Sequence, residues 1–99
     1  MIPYYAINSK IMGNVTGGLL LSYLVDRLES VEEAQITDSE IKQDTGLTEW
    51  ELRNAKRTLK SIGAILVERK GLPAKTHYRI DRDKYEKIAR ETIKGATSQ

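Results

Sequence analysis

Arg57 lies three and four residues after the adjacent Asn54 and Arg53 in EWELRNAKRTLKSIG, a spacing that puts all three on one side of a helix turning about 100 degrees per residue. Arginine can donate two parallel hydrogen bonds to guanine, and asparagine can pair with adenine, on the major-groove edge of B-form DNA. The trio therefore carries the chemistry of base readout. Trp50 and Ser61 fall on the same side, and Lys56 and Lys60 on its flank. Such lysines suit phosphates, contacts that orient a protein on a duplex without specifying sequence. Thr48 and the free amides of a helix start suit a further phosphate, and Trp50 and Ser61 are assigned with these to the DNA backbone.

Competing uses of these side chains stay open. Glu49 stands four residues before Arg53, and a pair closed at that spacing is worth ~0.2 to 0.5 kcal/mol, too little to hold an arginine away from a phosphate. Trp50 can stack on sugar and phosphate, fill a dimer contact or cover the gap between two helices, with packing weighed ahead.

A helix can show this face only if its other side is anchored. Leu52, Ala55, Leu59 and Ile62 gather opposite the basic face as a core stripe. Two capping boxes, Thr37 with Glu40 and Thr48 with Glu51, start successive helices, and the pairs Ile36 with Ile41 and Leu47 with Leu52 have the spacing of hydrophobic staples. Gly46 can end the first helix at positive φ, so residues 37–63 read as a helix-turn-helix.

Residues 64–81 read as a wing. Ala64 to Arg69 is a strand with Ile65 and Val67 on one face, and in Thr76 to Asp81 the residues Tyr78 and Ile80 alternate with His77 and Arg79. The turn between them, KGLPAK, carries Lys70 and Lys75. Arg69, Lys70, Lys75 and His77 are candidate contacts to the neighbouring DNA backbone or minor groove. Leu72 at the tip reads as a groove wedge or as an ordinary exposed leucine.

The remaining segments support that core. Residues 1–10 read as an N-terminal arm or strand, whose Tyr4 and Tyr5 suit either packing or a dimer. A scaffold helix is expected from about Gly17 to Glu29, capped by Thr16 or Asn14, with Leu20, Leu21, Leu24, Val25 and Leu28 as its apolar stripe and Tyr23 at the core edge. An acidic loop, Ser30 to Ala34, precedes a very short strand at Gln35 and Ile36 that pairs with the hairpin. Residues 82–94 form a closing helix with Tyr85, Ile88 and Ala89 on one face, and Gly95 to Gln99 a frayed tail.

Ninety-nine residues make one domain, 1–99. The chain has no cysteine and one histidine, which excludes disulfides and thiolate metal sites; no metal and no cofactor are expected. With no nucleophile triad and no Gly-rich phosphate loop, no enzyme is expected. Apolar runs such as Leu19 to Leu21 fall far short of the ~20 residues of a membrane span, and a cytoplasmic protein is expected. The net charge of +2 conceals a segregation. Asp26 to Glu51 holds nine acids and two bases, Arg53 to Lys84 ten bases and three acids, a division that focuses positive potential on one surface.

Thr45 to Thr48, Ile62-Gly63, Glu68 to Lys70, Gly71 to Lys75 and Tyr78 to Ile80 together resemble the winged helix-turn-helix modules of phage and plasmid replication proteins and related mobile-element proteins. The aliphatic helix LLLSYLVDR is similar to the first helix of such modules, so the resemblance spans most of the chain. It implies DNA contacts at Lys70, Lys75 and along Arg53 to Lys60. Two departures stand out: such modules usually form the front of a longer replication protein, and the link between first and second helices is shorter here. A small repressor or accessory factor is therefore an alternative to an initiator.

The expectation is an α+β winged helix-turn-helix, with a three-helix core, a C-terminal β-hairpin wing and a closing helix. Its expected partner is double-stranded DNA, in transcription regulation or DNA replication of a phage, virus or plasmid. A protein-protein interaction module of the same fold is the alternative. A homodimer through the N-terminal arm and the closing helix is a further expectation.

Overall fold

The computed structural model describes residues 5–97. Five helices and three strands follow in the order α1 (Ala6–Met12), α2 (Val15–Arg27), β1 (Glu33–Gln35), α3 (Asp38–Thr45), α4 (Glu49–Ile62), β2 (Ile65–Lys70), β3 (Lys75–Ile80) and α5 (Arg82–Thr97). Helices followed by an antiparallel hairpin give an α+β domain compatible with a winged-helix-type architecture.

Local chemistry sets the helix ends. The Asn14 side chain accepts from Gly17 N at 2.7 Å and starts α2. Thr48 and Glu51 form the full reciprocal box at α4: Glu51 N donates to Thr48 Oγ1 at 3.2 Å, and Thr48 N donates to Glu51 Oε1 at 2.9 Å. The box expected at α3 is only half made. Thr37 Oγ1 accepts from Glu40 N at 3.0 Å, but the Glu40 carboxylate turns away to Arg27, 2.9 Å distant. Charge attraction across helices outcompetes the local backbone bond. Gly46, at φ 77, ends α3 in the left-handed region, which a glycine enters without a Cβ penalty.

The N-terminal arm or strand expected over 1–10 is corrected for residues 6–10, which open α1; Met1 to Tyr4 lie outside the described residues. A helix places Asn8 and Met12 four residues apart on one face, and both are buried. Asn8 Nδ2 donates to Ser22 Oγ at 3.1 Å, and the Tyr85 hydroxyl donates to Asn8 Oδ1 at 2.6 Å. The expected three-helix core thus gains a fourth helix ahead of the hairpin. Gly17 and Gly18 lie inside α2, and Gly18 is where α1 crosses closest. A Cβ there would stand 2.1 Å from Ser9 Oγ and 2.6 Å from Ser9 Cα.

The sheet has the order β1-β3-β2, both pairings antiparallel. Ala34 and Val67 flank Tyr78, and Ile65 faces Ile80, on the side that closes over the helices. Beneath them Leu20, Leu21, Leu24, Leu28, Ile36, Ile41, Leu52 and Leu59 fill the core. Burial of both staple pairs, Ile36 with Ile41 and Leu47 with Leu52, fixes the entry of α3 and α4.

The closing helix is tied at its start. Asp81 Oδ1 accepts from Lys84 N at 3.1 Å, and the Arg82 guanidinium donates to Leu28 O and Glu29 O at the end of α2. A cation suits that carbonyl-rich end. The tail expected from Gly95 onward continues helical to Thr97; one glycine costs a helix about 1 kcal/mol relative to alanine but does not by itself end it.

Candidate nucleic-acid interface

Leu52, Ala55 and Leu59 lock one side of α4 into the core, so the opposite side faces out. Arg53, Arg57, Lys60 and Ser61 are exposed, Asn54 is half-buried, and Trp50 is 70% exposed. Among the described residues, Arg53, Arg57 and Lys60 make no ion pair or side-chain hydrogen bond, and the Glu49–Arg53 pair that the spacing permits is not formed. Trp50 does not cover the gap between α3 and α4: it stands in solvent. A cleft of about 520 Å³ lies against α4, lined by Arg53, Lys56, Arg57 and Lys60 together with Asp38, Lys42 and Glu49.

Several backbone-contact candidates are already engaged. The Ser61 hydroxyl donates to Thr58 O at 2.7 Å, within its own helix, and the Thr48 amide is taken by Glu51. Lys56 Nζ lies 2.7 Å from Asp38 Oδ1, bridging α4 to the start of α3. Burial opposes the Lys56 charge, yet its bond to Asp38 and its proximity to Tyr78 outweigh that and hold its pKa above the usual lysine value. The Tyr78 hydroxyl below is buried with no hydrogen-bond partner among the described residues; burial pushes its pKa up, against the pull of the Lys56 charge. Lys56 is thus a strut between two helices as well as a cation of the face.

The wing is similarly divided. Glu33, on β1, sets one oxygen 2.9 Å from Lys70 Nζ and the other 3.2 Å from His77 Nδ1. The Lys70 hydrogen bond above all, helped by surrounding cations, outweighs partial desolvation and holds the Glu33 carboxyl below its usual range. Arg69 donates to Thr76 Oγ1 at 3.2 Å and to Ala74 O at 3.1 Å, bracing the hairpin. Lys75 is exposed and makes no such contact among the described residues, and Leu72, before a cis peptide bond to Pro73, stands fully in solvent. Glu33 is the residue that sequence reasoning missed. In the sequence it belongs to the acidic stretch Ser30 to Ala34, and only the pairing of β1 beside β3 brings it to the wing.

A second cluster orients α3. Arg27 reaches Glu40 and the Tyr23 hydroxyl, at 2.9 and 2.6 Å, and the Tyr23 hydroxyl donates to Asp44 Oδ2 at 2.6 Å. Burial, then the bond to Asp44, pushes the Tyr23 pKa up to about 12. The bond to Glu40 holds the Arg27 pKa above the usual guanidinium value, against its burial. Two acids of the front half are therefore engaged between α2 and α3.

Among the described residues, no group of three or more His, Cys, Asp or Glu side chains is arranged to hold a metal ion, and no helix is long and apolar enough to cross a membrane. Compared with protein-family models, curated proteins and solved structures, the chain shows no significant match.

Proposed function

We propose that the chain binds double-stranded DNA without catalysis, occupying a site as a small transcriptional regulator or replication-associated factor of a phage, virus or plasmid. The observation that carries this reading is the outward face of α4, where Arg53, Arg57 and Lys60 are exposed and unpaired among the described residues. Arginines left open in this way can form bidentate bonds to base edges without first breaking a contact within the protein. In this reading Arg53, Asn54 and Arg57 read bases, while Lys60, Lys75 and the Thr48 hydroxyl meet phosphates. Lys56 and Lys70 add charge from behind their carboxylate partners, and His77 stands beside Glu33 on the wing.

Selection from randomised duplexes, followed by titration of the recovered site and of random duplex, tests the proposal. Arg53→Ala and Arg57→Ala are each expected to weaken the recovered site by ~1 to 3 kcal/mol and random duplex by less. Equal losses on both would reassign the arginines to phosphates. Failure to retain the protein on duplex DNA at moderate salt would instead favour a protein-interaction module.

A further inference from the structure

The exposed tryptophan is the feature of α4 that neither its packing nor its charge accounts for. Trp50 lies about 180 degrees around the helix from Leu59, the most deeply buried residue of the core stripe, and within about 20 degrees of Arg57, seven residues on. It therefore points along the same line as the arginine. A side chain this large and apolar gains nothing for the fold at 70% exposure, and tryptophan is the kind of residue that dominates recognition surfaces.

We propose that Trp50 reads thymine: its indole packs on the 5-methyl group that thymine presents in the major groove, the one apolar group on any base edge there. This rests on the duplex-DNA reading above and moves Trp50 from the backbone to the bases. The two arginines beside it supply the charge complement that brings a polyanion against an apolar ring. Its place two residues past the Thr48 cap puts it at the N-terminal end of α4, the end of a recognition helix whose residues meet base edges. Seven residues separate Trp50 from Arg57, a rise of about 10.5 Å along the axis. With base pairs spaced about 3.4 Å, the thymine lies about three pairs from the guanine that Arg57 contacts.

The test uses the intact chain and the duplex recovered by selection. Each thymine is replaced in turn by deoxyuridine, which lacks only the methyl group, and affinity is measured for the unaltered protein and for Trp50→Ala. One position is expected to lose about fourfold with the unaltered protein, the worth of one methyl-sized group returned to water, and nothing with the variant. Trp50 is the only tryptophan, so its intrinsic emission gives a readout without any substitution: it should change more on the thymine duplex than on the deoxyuridine duplex at that position. A flat scan, or one that Trp50→Ala leaves unaltered, overturns the assignment while leaving DNA binding intact. An emission that shifts with protein concentration in the absence of DNA also overturns it, in favour of a second copy. Recovery of no duplex at all overturns the DNA reading and this inference together.

Discussion

Replacing Glu33 with glutamine should make the chain bind duplex DNA more tightly and with a steeper dependence on salt. In the structure Glu33 holds Lys70 at 2.9 Å and His77 at 3.2 Å, so Lys70 must exchange a carboxylate for a phosphate before it releases a counterion from the DNA. Each phosphate newly neutralised adds about 0.9 to the slope of log affinity against log salt on B-form DNA. If Glu33→Gln frees Lys70 fully, the slope steepens by about 0.9, and raising salt from 50 to 200 mM costs the variant roughly 3.5-fold more affinity than the unaltered chain. Lys75 has no partner to give up among the described residues. Lys75→Ala should therefore flatten the slope by about 0.9, while Lys70→Ala flattens it by less. The assay is an anisotropy titration of a labelled duplex at several salt concentrations. Slopes that stay the same in all three variants would take the wing out of the interface. A full 0.9 lost in Lys70→Ala, with no gain in Glu33→Gln, would refute the idea that Glu33 restrains the lysine.

Other outcomes follow from the fold. Gly18→Ala should destabilise the protein by ~1 to 3 kcal/mol in a denaturant titration despite alanine's better helix propensity, because the added Cβ meets the Ser9 backbone at 2.6 Å. Tyr23 should ionise near pH 12 in an ultraviolet titration of the tyrosines. Its pKa is raised on folding, so the stability it contributes is complete below about pH 10, the unfolded value, and is lost as pH rises toward 12; Tyr23→Phe should remove that part of the alkaline loss. For the homodimer expected from the sequence, sedimentation at high concentration should give about twice the 11.2 kDa chain mass, and a mass near a single chain would remove it. Tyr85 contributes little to such a contact, being engaged with Asn8 inside the protein.

The outward face of α4 was readable in the sequence because helical periodicity converts spacing directly into direction. Once Leu52, Ala55 and Leu59 go inward, Arg53 and Arg57 have nowhere else to point, whereas Trp50, for which packing was weighed ahead, stands in solvent. The same holds for the strand alternation that buries Tyr78 and leaves Arg79 outside. The pairing of the short strand near Gln35 with the hairpin was also readable; what could not be read was which side chains meet across distant segments. Glu40 satisfies the capping-box pattern, yet Arg27, thirteen residues earlier, takes its carboxylate. Lys56 has the look of a free flank cation until α3 brings Asp38 against it. Asn8 falls within the expected arm and gives no sign of burial, because its partners, Ser22 and Tyr85, are fourteen and seventy-seven positions away. Local patterns state what a residue prefers, whereas these choices depend on which acceptor tertiary structure delivers.

The meeting of Asn8, Ser22 and Tyr85 has a consequence for how the protein comes apart. Three helices share one set of hydrogen bonds around the buried Asn8, so pulling α5 away takes from the Asn8 amide oxygen the Tyr85 hydroxyl that it accepts from and uncovers α1. Detaching the last helix is therefore no gentle fraying at one end. It loosens the grip on the first, and the molecule should melt in a single cooperative step.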